Sequence, residues 1–119
     1  MFWQDVAGKA GIANNPAVFF DLYNEPGGAT GSSALTNDAA GWALWRNGGT
    51  VPAASDGTAY VSPGMQGLLS GIRGAGANNL VWAGGIDWAF DLSGVTTYSA
   101  ALTDTVAGNG VVYATQCRH

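Results

Sequence analysis

Three short apolar runs, each ending in turn-forming or chemically useful residues, constrain the fold of this chain more than any other feature. Residues 17–23 read "AVFFDLY" and lead into Asn24, Glu25 and Pro26; "NLVWAGG" leads into "IDWAF"; "GVVYAT" leads into Gln116. Apolar runs of this length, bounded by Gly, Asn and Pro, read as strands buried on two sides. Between the first and second runs Met65, Leu68, Leu69 and Ile72 fall at i, i+3, i+4 and i+7, one face of a helix that should stop at the glycines of "GAGANN". Strands alternating with helices imply βα units and a parallel sheet, so the expected fold class is α/β. Ligands of such sheets sit at the carboxyl ends of the strands. Asn24 with Glu25, residues 85–88, and the chain from Gln116 onward all share that end.

The other segments are less regular. Residues 2–12 carry Phe2, Val6 and Ala10 at helical spacing and run into the breaker "ANNP". Residues 27–63, rich in Gly, Ala, Ser and Thr, read as one long loop with room for a helical turn over 38–45. Loops of that length are usually functional or disordered. A weaker helix is expected over residues 97–107. "GIRGAGANN" follows a helix and precedes a strand, the reverse of a dinucleotide-binding fingerprint, and is a helix stop.

Composition limits the partners. Only 10% of the residues are charged, against roughly 25% in an ordinary soluble protein. That scarcity implies surfaces meant to be covered by more protein. The net charge of -4, with Lys9, Arg46, Arg73 and Arg118 scattered singly, argues against a nucleic-acid partner. No run approaches the ~18 apolar residues of a membrane span, and "MFWQDVAGKAG" lacks the regions of a signal peptide. Cys117 is the only cysteine. It cannot form an intrachain disulfide, and with His119 it falls short of the roughly four ligands of a zinc site. No metal or organic cofactor is expected.

Glu25 is the only glutamate of the chain. Period-2 alternation puts Phe19, Asp21, Tyr23 and Glu25 on one face of the first strand and Val18, Phe20, Leu22 and Asn24 on the other. Pro26 keeps Glu25 out of the helical region, so rigid backbone aims the carboxylate. A catalytic carboxylate and a turn-capping or ion-paired one both satisfy this pattern.

"NPAVFFDLYNEP", followed by "GMQGLLSGIRGAGANNLVWAGGIDWAFDLSG" and "GVVYAT", resembles the middle of a glycoside hydrolase family 5 catalytic domain, the cellulase family, over about its fourth to sixth βα units. The resemblance implies a (β/α)8 barrel, of which residues 1–119 would be a partial catalytic domain with about three parallel strands, helices and one long loop. It implies hydrolysis of O-glycosyl bonds in β-linked polysaccharide with retention of configuration. Glu25 would be the general acid/base, its pKa raised by a partly apolar pocket and a neighbouring carboxylate. Asn24 would hydrogen-bond the sugar 2-hydroxyl and help position the nucleophile. It also implies a secreted protein.

A retaining site needs a second carboxyl about 5–5.5 Å away. Asp21 lies four residues back, about 13 Å at ~3.3 Å per residue, and reads as a barrel-interior carboxylate needing a partner. Asp87 and Asp91 are nearer in the expected fold, though turn or cap roles suit them better. The family's nucleophile ends its seventh strand, whereas this chain is expected to stop at the sixth. Family members continue after that strand as Ala-Thr-His-x-Tyr; here Gln116 and Arg118 replace the His and Tyr, as a truncated or frame-shifted end would. Such a chain is expected to be a poor enzyme and, with open strand edges, to aggregate or be partly disordered alone. The alternative is a non-catalytic carbohydrate-binding or structural barrel fragment.

Flat aromatic rings can stack on a pyranose. Trp88, just past a strand end, is the best candidate, with Asp87 beside it. Trp42 and Trp45 suit either loop anchoring or substrate contact, with Trp45 the candidate contact of the two. Trp82, in mid-strand, is expected in the core.

Overall fold

The computed structural model describes residues 2–23, 35–51, 59–105 and 108–116. Strands β1 (Phe20–Asp21), β4 (Val81–Gly84) and β5 (Val111–Ala114) form one sheet in the order β1-β4-β5, with both pairings parallel. This is the expected sheet. The first strand is shorter than its apolar run, and Leu22 just after it lies in a bend. Phe20 N–H donates to Leu80 O at 3.0 Å and Leu22 N–H to Trp82 O at 2.9 Å.

Alternation decides what each strand buries. Phe20, Leu22, Val81 and Ala83 are 4% exposed or less and point into one core with Trp42, Trp45, Met65, Leu69 and Ile72. Fully burying a side chain of this kind contributes roughly 1.5–3 kcal/mol. Helices α1 (Phe2–Ala7), α2 (Ala39–Asn47) and α3 (Gly64–Gly74) supply the other side of that core. Opposite them the sheet is open: Phe19, Asp21, Tyr23 and Trp82 are exposed. The reading of strands buried on two sides therefore holds for one face among the described residues. Trp82 is corrected with it, being 36% exposed and stacked on Phe19 with ring centroids 4.7 Å apart.

Helix α3 matches its periodicity, with Met65, Leu69 and Ile72 buried and Leu68 half-buried. Helix α1 is shorter than residues 2–12 and turns a different face inward. Phe2 is 67% exposed, while Trp3 packs edge-on against Phe20 at 5.4 Å and Ala7 is fully buried. After Gly8 the chain passes through turns to Asn14.

The expected long loop contains more structure than its composition suggests. Asp38 caps α2 by accepting from Gly41 N–H at 2.7 Å, and this bond, with one from the Thr36 hydroxyl, lowers its pKa below the ordinary value. Trp42 and Trp45 then fall on the buried side of α2. Strands β2 (Gly49–Val51) and β3 (Tyr60–Ser62) pair antiparallel beyond it.

The helix expected over 97–107 is not formed in its described part. A short turn, α5 (Gly94–Thr97), precedes Ser99 at φ 54°, and residues 98–105 are irregular. Their backbone groups bond to distant side chains instead. Ala101 O accepts from Arg46 Nε at 2.9 Å, Leu102 N–H donates to the Tyr113 hydroxyl at 2.7 Å, and Thr103 N–H donates to Gln66 Oε1 at 2.8 Å. Residues 96, 97, 103 and 105 are threonines with modest helix propensity, so these partners win.

At the amino end of the sheet Asn79 ties three turns together. Its Nδ2 donates to Ile12 O, Val18 O and Asn15 O at 3.1, 3.0 and 3.2 Å, and its Oδ1 accepts from Asn14 N–H at 2.8 Å. This end of the sheet serves stability, which leaves the opposite end for chemistry.

Candidate active site at the strand ends

The carboxyl ends of the three strands enclose a small hollow. It has a volume of about 100 Å³ and is lined by Asp21, Tyr23, Trp82, Gly84, Ala89, Ala114, Thr115 and Gln116. The strand register explains why it exists. Gly84 pairs with Ala114, so the last layer of the open face has almost no side-chain volume at its centre. Asp21 and Trp82 pair in the layer below and Tyr23 stands at one side. Small residues form the floor and larger ones the wall.

All three strand ends meet here, as expected from the sequence. Asn24 and Glu25 lie outside the described residues, as do Cys117, Arg118 and His119. Tyr23, which immediately precedes the Asn-Glu pair, is in the lining. Asp21 faces the open side and is the only carboxylate in the lining among the described residues.

Beyond β4 the chain makes a feature that periodicity could not reveal. The single turn α4 (Ile86–Ala89) is left-handed: Asp87 has φ 54° and ψ 55°, Trp88 φ 54° and ψ 42°, and Ala89 φ 66°. Left-handed backbone costs an L-residue about 1–2 kcal/mol, and such strain persists only where the surroundings over-determine it. They do so here. Ile86 is fully buried, and Phe90 and Asp91 N–H both donate to Ile86 O at 3.1 Å. Ala89 O accepts from Gln116 N–H at 2.8 Å, which ties the turn to the end of β5. The turn brings Ala89 into the lining, with the half-buried Asp87 and Trp88 next to it in the chain and outside the lining itself.

Trp45 is 2% exposed, and its Nε1 donates to Gly84 O at 2.9 Å. Of the two roles open to it, anchoring is the one the burial supports. A buried ring offers no face to a sugar, so Trp45 is corrected from contact to support. Trp42, fully buried, meets Trp45 edge-on at 5.1 Å and gives its Nε1 hydrogen to Asn37 Oδ1 at 2.8 Å. The ring lies so close to Gly94 that a Cβ there would overlap it. Asp91 takes the turn role, accepting from Ser93 N–H at 2.7 Å. The ring that does face the hollow is Trp82, despite the mid-strand position that predicts a place in the core. Its alternation with Val81 and Ala83 along the strand was the available signal.

No group of three or more His, Cys, Asp or Glu capable of holding a metal occurs among the described residues. Within the same residues, no helix is long and apolar enough to cross a membrane.

A parallel α/β sheet with helices on its buried face and a hollow at its carboxyl ends is the arrangement of part of a (β/α)8 enzyme barrel. Residues 1–112 match the family described as Cellulase (glycosyl hydrolase family 5), and the chain belongs to that family. Neither curated proteins nor solved structures include a match.

Proposed function

We propose that the chain carries the acid/base side of a retaining glycosidase site acting on β-linked polysaccharide. Glu25 is the general acid/base: it protonates the departing glycosidic oxygen and later takes a proton from the attacking water. Asn24 holds the sugar 2-hydroxyl, and Asp87 and Trp88 flank the bound chain. Family membership carries this reading, together with the position of the Asn-Glu pair directly after Tyr23 at the hollow. A retaining reaction needs a second carboxylate as nucleophile, and Glu25 is the only glutamate here. Turnover by these residues alone is accordingly low, and the site of action is extracellular.

Hydrolysis of soluble cellulose and a chromogenic β-glucoside tests the proposal. Glu25→Gln should lower any turnover by roughly 10²-fold or more, the usual contribution of acid/base catalysis. Turnover unchanged by that substitution would overturn it. One observation favours a second reading, a saccharide-binding module without catalysis: the exposed Trp82 is stacked on Phe19 and lines the hollow. Binding of cello-oligosaccharides with no turnover, indifferent to Glu25→Gln, would select that reading.

A further inference from the structure

The left-handed turn at the rim of the hollow is held from outside the hollow. Asp91, two residues beyond it, uses its two carboxylate oxygens separately. Oδ1 accepts from Ser93 N–H at 2.7 Å, and Oδ2 accepts from Asn37 Nδ2 at 3.0 Å. Asn37 Oδ1 in turn accepts from Trp42 Nε1 at 2.8 Å, and Trp42 is fully buried in the helical layer. A relay thus runs from the core through Trp42, Asn37 and Asp91 to the backbone that closes the turn. Asp91 also forms an isolated bridge with Ile86, so both ends of the strained segment are held. Nothing local in "IDWAFD" favours three consecutive left-handed residues that lack glycine. The restraint must come from tertiary contacts.

We infer that Asn37 and Asp91 are positioning residues: their side-chain bond sets the left-handed turn, and thereby the place of Ala89, Asp87 and Trp88 at the rim where a glycan chain would lie. The role in ligand binding rests on the strand-end reading above. The role in setting the turn does not.

The donor and acceptor pattern permits a reversal test. Asp91→Asn alone turns an NH2 toward the Asn37 NH2, and Asn37→Asp alone sets two carboxylates face to face. The double variant Asn37→Asp/Asp91→Asn reverses the bond: residue 91 donates, residue 37 accepts, and both Trp42 Nε1 and Ser93 N–H keep an acceptor. Two measurements on the full chain are needed, amide hydrogen exchange at Phe90 and Asp91, and calorimetric affinity for cellohexaose. Each single variant should speed exchange at both amides by roughly fivefold, the scale of losing one side-chain hydrogen bond, with exchange in β4 unchanged. The double variant should restore it to within about twofold. Cellohexaose affinity should fall and recover in the same order. Exchange unchanged in the single variants, or not restored by the double, overturns the inference whether or not the sugar binds. Restored exchange with affinity indifferent to all three variants overturns the link to binding. If the unaltered chain ignores cellohexaose, the strand-end reading fails, and exchange still decides the role in setting the turn.

Discussion

Arg73 and Asp104 form a two-pronged ion pair, Nε to Oδ1 at 2.7 Å and Nη2 to Oδ2 at 3.1 Å, that joins the end of α3 to the chain entering β5. The Arg73 side chain is 3% exposed, and its Nη1 also donates to Ala77 O and Asn79 O at 3.1 and 2.7 Å. Asp104 accepts in addition from the N–H groups of Thr105 and Gly110 at 2.9 and 3.0 Å. Gly108 passes so close that a Cβ there would overlap the Asp104 carboxylate. Every charge and every remaining donor in this cluster has a partner, which is what makes a nearly buried pair tolerable.

Removing one partner leaves the other without compensation. Asp104→Ala should destabilise the fold by about 3 kcal/mol, read from the urea midpoint. Arg73 bonding and charge hold the Asp104 carboxyl below its ordinary value of 3.8. With the folded pKa depressed, the contribution is fully present above the unfolded value and is lost as pH falls through the folded one. Melting temperature should therefore drop on acidification below that ordinary value, and Asp104→Asn should flatten part of the drop. The capping Asp38, shifted in the same direction, adds to the drop.

Asn79 supplies a sharper chemical test at the other end of the sheet. Asn79→Ala removes the donor to three carbonyls and should cost about 2–4 kcal/mol. Asn79→Asp should cost more, because a carboxylate would then face those same carbonyl oxygens. Equal midpoints for the two variants in urea titration would contradict the observed bonding.

Ala89 is in left-handed backbone at φ 66°. Ala89→Gly should stabilise by about 1 kcal/mol despite the greater freedom glycine has when unfolded. Ala83→Gly, in the ordinary extended backbone of β4, should destabilise. Opposite shifts in melting temperature are the expected signature.

Trp45 and Trp82 should behave as opposites. Trp45→Ala should cost about 3–5 kcal/mol, as for a fully buried aromatic, whereas Trp82→Ala should cost far less. Acrylamide quenching should fall on removal of Trp82, and should not fall on the milder Trp45→Phe.

The candidate site was only partly legible in the sequence. Convergence of three strand ends follows from the apolar runs and their alternation with helices, and the hollow lies there. Trp45 and Trp82 exchanged roles because a tryptophan's neighbours, not its own apolar character, decide whether it is covered. Trp45 sits on the inward face of α2 within a segment read as loop, while Trp82 takes the open side of an alternating strand. Asp91 was legible as a turn residue, but its bond to Asn37 spans 54 positions.

By itself the sequence determined what repeats over short distances: the apolar runs that become β1, β4 and β5, the inward face of α3, and the alternation of Phe19, Asp21 and Tyr23 against Phe20 and Leu22. These follow from residue spacing against the fixed periods of helix and strand. Only the tertiary structure decided the pairing of Arg73 with Asp104, the left-handed turn at Asp87 to Ala89, and the loss of helix after Thr97. Each depends on groups distant in the chain outcompeting the local preference of the backbone, and no local pattern records which distant partner will arrive.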